Sequence, residues 1–219
     1  MPHTIKRSSW IVFHLSLAAY LPLLIGGWLH HSEINVACYS LWIILALMLT
    51  YSSKAQKLSG WKMPLAFCFG NIIMVVFALI QGGYTFNLGP TEIIIFYGIV
   101  TTLCVWVSVG MATEKWNPNI LYFGGIFADV LSFYPQLKQY LLPHERPTVW
   151  MIIGWALFGL GSILNVFFVE HLQKKLLLCQ ADYTSIYGKE KNLLKIFEES
   201  AFSIENTVLI SITILVMCR

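Results

Sequence analysis

Residues 120–141 read ILYFGGIFADVLSFYPQLKQYL. The run is apolar for most of its 22 residues, and a helix of about 20 such residues crosses a bilayer core. Yet Asp129 sits near its middle, and Pro135 follows six residues later. An aspartate at mid-bilayer costs about 2.5–3.5 kcal/mol on insertion scales. It must therefore face a cavity or a partner. Helical spacing puts Asp129, Ser132 and Gln136 on one face, and Tyr140 continues that stripe.

The rest of the chain has the same character. Of 219 residues, 57% are hydrophobic and 11% charged, and the mean hydropathy is +0.68. A soluble domain averages roughly 45–50% apolar and about 25% charged residues. This composition excludes a soluble enzyme with one anchor, a disordered chain, a collagen-like repeat and a disulfide scaffold. The net charge of +3 is too small and scattered for a nucleic-acid footprint. The five cysteines form no C-x-x-C pair, so they read as apolar packing residues rather than a zinc site.

Seven apolar runs stand out: Trp10–Leu29, Val36–Ser52, Met63–Gln81, Thr91–Ala112, Ile120–Leu141, Val149–His171 and Phe197–Cys218. The first follows Lys6 and Arg7, as in a signal peptide. It is too long for one, contains Pro22 and lacks a small-x-small cleavage site, so it reads as a span. The runs are continuous rather than alternating, which disfavours a barrel. The expected fold class is an all-α membrane protein with seven transmembrane helices. His30–Asn35, Ser53–Lys62 and Thr113–Asn119 read as tight hairpins, and Gly82–Pro90 as a turn-rich loop. A basic loop is expected over 172–196, with Lys189–Phe197 either an interfacial amphipathic helix or solvated.

Eleven lysines and arginines fall on the side of the N-terminus and three on the other. This split predicts a cytoplasmic N-terminus and an outside C-terminus. The expected location is a multi-pass position in a bacterial inner membrane.

A weak internal repeat organises the spans. A shift of 113 residues aligns Pro22 with Pro135, Trp42 with Trp155 and Tyr20 with Phe133. A shift of 135 pairs Phe67 with Phe202 and Asn71 with Asn206. The chain divides into a first three-helix repeat (1–81), a linker helix (82–118) and a second three-helix repeat (119–219). An odd number of spans between equivalent helices makes the repeats parallel, giving two parallel three-helix bundles joined by a linker helix.

The Ser132-Phe-Tyr-Pro135-Gln136-Leu137 stretch, placed in a repeated seven-span chain, resembles the PQ-loop family. That family includes SWEET sugar carriers, lysosomal amino-acid exporters and the KDEL receptor. The resemblance spans nearly the whole chain in helix count and repeat, and rests on one intact Pro-Gln copy. The first copy, at Tyr20-Leu21-Pro22-Leu23, lacks the glutamine. Such carriers are expected with the N-terminus outside, whereas the charge split here predicts the reverse.

The resemblance implies an alternating-access carrier of a small polar solute, such as a sugar or an amino acid. Pro22, Pro135 and Gln136 are expected at a hinge or gate, because proline removes a backbone donor and bends a helix. Asn71 and Asn206 match the position from which SWEET-like carriers hydrogen-bond substrate; the alternative is an interhelical bond. Trp42 and Trp155 are substrate-stacking candidates, with core packing as the alternative. Asp129 is the candidate proton-coupling carboxylate, against a paired structural acid. Glu205, about 100° from Asn206, is a second ionisable group.

No catalytic residues, cofactor or metal site are expected. H-E-x-x-H, paired aspartates and a serine elbow are all missing. The His30-His31 pair has no metal-ligand spacing around it. The expected partners are a small-molecule solute and the lipid bilayer, with no nucleic acid; a homo-oligomer stays open. The competing class is a PQ-loop-type receptor or assembly protein without transport.

Overall fold

The computed structural model describes residues 3–29, 35–55, 61–81, 89–113, 118–141, 147–180 and 186–219. The His30-His31 pair, the loop at 82–88 and the connections at 56–60 and 114–117 lie outside the described residues, as do the side chains of the lysines in 172–196.

Eight helices are described: α1 (His3–Ala18), α2 (Tyr20–Leu29), α3 (Val36–Ala55), α4 (Lys62–Gln81), α5 (Pro90–Thr113), α6 (Pro118–Leu141), α7 (Val149–Gln180) and α8 (Ile186–Met217). The first two form one span broken at Ala19. Pro22 has no amide hydrogen, and its ring crowds the carbonyl four residues back, that of Ala18. The break falls where this clash would be. Pro135, in contrast, lies inside the unbroken α6. Pro90 and Pro118 open α5 and α6, where the missing donor costs nothing.

Four spans are long and apolar enough to cross a membrane: Trp10–Leu29, Val36–Lys54, Lys62–Gln81 and Val149–Phe167, with mean hydropathies of 1.7, 1.7, 2.3 and 1.8. The chain is an all-helical, membrane-embedded protein. In α5 and α8 the apolar stretches are shorter, Ile93–Thr102 and Ala201–Met217 among the described residues. The outer surface is apolar: Ile80 is 80% exposed and Leu215 72%. The polar side chains Ser16, Asn71, Asp129, Ser132, Gln136, Ser162, Asn165, Ser203 and Asn206 are buried instead. This inside-out distribution suits a bundle solvated by lipid, where polar groups need partners inside the protein.

The basic loop expected over 172–196 is largely helical. α7 runs to Gln180 and α8 begins at Ile186, each 32 residues long. The segment contains no proline, and its leucines, lysines and glutamates are strong helix formers. The backbone therefore stays helical beyond the apolar part, to Gln180 in α7 and from Ile186 in α8.

α4 packs against both α3 and α1, while α8 packs against both α7 and α6. Across the molecule, α3 meets α6, and α1 with α2 meets α7; α5 lies against α6. Small residues bring the α1–α2 span close to α7. A Cβ on Gly154 would stand 2.4 Å from Leu23 Cδ2, and one on Gly161 would stand 3.0 Å from Ser16 Oγ. A large core cluster runs through Tyr20, Trp42, Phe133, Trp155 and Phe158. A smaller one, Val12, Leu49, Met63, Tyr122 and Phe202, closes the end where α1, α4 and α6 begin.

Candidate functional site

Between these clusters lies a cavity of about 40 Å³. A single water needs roughly 10–15 Å³ of such space, so the cavity has room for several waters or one compact solute. Residues from α2, α3, α4, α6, α7 and α8 line it.

Five of the eight expected site residues come together here. Asn71 reaches in from α4, Asn206 from α8, Trp42 from α3, Trp155 from α7 and Asp129 from α6. Pro22, Pro135 and Gln136 do not line the cavity. Pro22 is buried at the broken span. Gln136 is wholly buried, and neither of its amide atoms has a hydrogen-bond partner. The stripe expected on α6 is a buried face: Asp129, Ser132, Gln136 and Tyr140 are all buried.

Hydrogen bonds fix the polar wall. Tyr20 Oη donates to Asn71 Oδ1 at 2.8 Å and stands 3.2 Å from the Phe67 carbonyl. With its oxygen thus engaged, Asn71 offers its Nδ2 protons to the cavity. Asn206 Nδ2 donates to the Phe202 carbonyl at 3.0 Å and to Glu205 Oε2 at 3.2 Å. Asn206 and Asp129 both line the cavity. Glu205 Oε1 is buried and unpartnered.

Trp42 donates its indole N–H to Ser132 Oγ. The Ser132 hydroxyl in turn donates to the Asp129 carbonyl at 2.6 Å, with Asp129 Oδ1 at 3.4 Å. Trp155 donates its indole N–H to Tyr140 Oη at 3.3 Å. Both indole N–H groups are thus satisfied by the protein, and the rings show the cavity carbon surface.

The aromatic wall is continuous. Ring centroids of Trp42 and Phe133 are 5.2 Å apart, those of Phe133 and Trp155 5.7 Å, and those of Trp42 and Trp155 6.0 Å. Tyr20 stands edge-on to Phe158 at 4.6 Å, and Phe67 lies 6.0 Å from Phe202. Such spacings fall within the range of favourable ring pairs.

Among the described residues, Asp129 is the one carboxylate on the cavity wall, and neither lysine, arginine nor histidine lines it. No cationic side chain pairs with Asp129 among the described residues. Burying an uncompensated carboxylate costs several kcal/mol. Among the described residues, no group of three or more histidines, cysteines, aspartates or glutamates could hold a metal ion.

Two of the bonds that build the site have no local signal in the sequence. Tyr20 is recognisable there only as the repeat mate of Phe133, since its bond to Asn71 crosses 51 positions. Ser132 is visible on the Asp129 stripe, but its tie to Trp42 spans 90 positions.

No family profile, no curated protein and no solved structure matches the chain.

Proposed function

We propose that the chain is a membrane carrier that moves a small polar solute through the cavity by alternating access. One observation carries the reading: a cavity among the helices that combines a carboxylate without a cationic partner among the described residues, two asparagines and aromatic side chains. Static helix packing would fill such a space with apolar side chains, because the carboxylate is costly to keep there.

The repeat supports a carrier of three helices, a linker helix and three helices. Exchanging the two triplets turns the contact of α3 with α6 into that of α7 with the α1–α2 span, and both contacts are present. Residues near such an exchange axis meet their own mates. Trp42 and Trp155 do so at 6.0 Å, and Phe67 and Phe202 also at 6.0 Å. With the Pro-Gln stretch, this favours the PQ-loop resemblance.

In this reading the broken span at Pro22 is the hinge. The cluster around Val12, Met63 and Tyr122 closes one end, and Trp42, Trp155 and Tyr140 close the other. Asp129 couples solute movement to protons. The lysine and arginine split supports a cytoplasmic N-terminus in a bacterial inner membrane.

The test is labelling from each side of the membrane. Ala46 lines the cavity, so Ala46→Cys, in a chain otherwise free of cysteine, reports access. A carrier gives labelling by an impermeant thiol reagent from both faces. Labelling from one face only, with no solute flux in proteoliposomes, favours a receptor or assembly protein of the same fold.

A further inference from the structure

We propose that the cavity selects a small organic cation without an acidic group, its ammonium held between the Asp129 carboxylate and the faces of Trp42, Phe133 and Trp155. The inference rests on the carrier reading for its biological use and narrows the solute of that same site.

Three observations favour a cation over the other solute classes. First, a sugar needs many hydrogen-bonding partners around its ring. Here the two indole N–H groups are spent on Ser132 and Tyr140, so most of the wall offers only ring carbon. Second, an amino acid brings a carboxylate, and a buried anion needs a donor cation. Among the described residues the cavity wall has no lysine, arginine or histidine, and Asp129 would repel the incoming anion. Third, Asp129 is buried with no cationic side chain paired to it among the described residues. A solute ammonium supplies the missing counter-charge.

The rings suit the same ligand. A cation within about 6 Å of an aromatic centroid is attracted by the ring quadrupole, most strongly where water is excluded. Trp42, Phe133 and Trp155 all line the cavity with Asp129, and their centroids lie 5.2, 5.7 and 6.0 Å apart, so a cation at the carboxylate has aromatic surface beside it. Phe133 lies one helical turn beyond Asp129 on α6. Ser132 ties the edge of the Trp42 indole to the Asp129 turn, so ring and carboxylate are held in register. Asn71 Nδ2 adds a donor for a neutral oxygen on the same solute, such as a hydroxyl.

The test is thermal unfolding of the purified full chain in detergent with matched probes. Choline and tetramethylammonium carry the charge. 3,3-Dimethylbutan-1-ol has the shape of choline without its charge, and glycine betaine adds a carboxylate. The cations should raise the unfolding temperature, because a ligand that binds only the folded state stabilises it. The neutral isostere and betaine should bind roughly tenfold more weakly or worse. Asp129→Asn should lose the cation response, and Trp42→Leu should weaken it. Equal stabilisation by choline and its neutral isostere overturns the inference, as does no stabilisation by either cation. If the Asp129 variant fails to fold, the comparison of choline with its isostere in the unmodified chain still decides. Cation binding without flux in proteoliposomes overturns the carrier reading and leaves the cation site standing. Saturable flux of a sugar without cation binding does the reverse.

Discussion

In the proposed repeat, the α1–α4 helices and the α6–α8 helices differ in chemistry at matching positions. In the first, Tyr20 lays its ring on Gly70, where an added Cβ would stand 1.9 Å from the ring, and its hydroxyl holds Asn71. In the second, Phe133 stands at the matching position, so the hydroxyl is gone. Shifts of 113 and 135 put Asp129 opposite Ser16 and Glu205 opposite Gly70. Asn206 is accordingly held by the Glu205 carboxyl and the Phe202 carbonyl, where Asn71 is held by a phenol. The first triplet has a neutral latch; the second has the ionisable groups.

The largest effect should come from breaking the latch sterically. Gly70→Val forces side-chain atoms into the Tyr20 ring, and overpacking of this kind costs about 1–3 kcal/mol or more. Thermal unfolding of the purified variant should show a clear loss of stability, partly recovered when Tyr20→Ala makes room. No loss would mean that the ring does not rest on Gly70.

Next in size is Ser132→Ala, which leaves the buried Trp42 N–H without its acceptor at a cost of about 1–3 kcal/mol. Tryptophan fluorescence should shift together with the unfolding temperature. An unchanged spectrum would detach Trp42 from the Asp129 turn. Tyr20→Phe removes one interhelical hydrogen bond and should cost only about 0.6–1.7 kcal/mol. The reciprocal Phe133→Tyr should not reproduce that bond, because its half has no glycine matching Gly70. If Tyr20→Phe proves as damaging as Gly70→Val, the ranking of ring packing over hydrogen bond fails.

The sequence is legible where one residue carries a large local cost. The buried Asp129, the break caused by Pro22 and the pairing of Trp42 with Trp155 follow from span position, proline sterics and a shift of the chain. Pro135 shows the limit of that logic, since α6 continues through it. So do residues 172–196, whose charge reads as a loop although helix-forming residues carry α7 and α8 through most of it. The hydrogen bonds of Tyr20 and Ser132 depend on how helices dock, which no local pattern encodes.

The central claim is that Asp129 is the counter-charge for a solute moved through the cavity. Uptake of labelled choline into proteoliposomes, unmodified chain against Asp129→Asn, tests it most directly. Saturable uptake that disappears in the variant, while the variant remains folded, is the expected result. Uptake that survives Asp129→Asn unchanged would contradict the account.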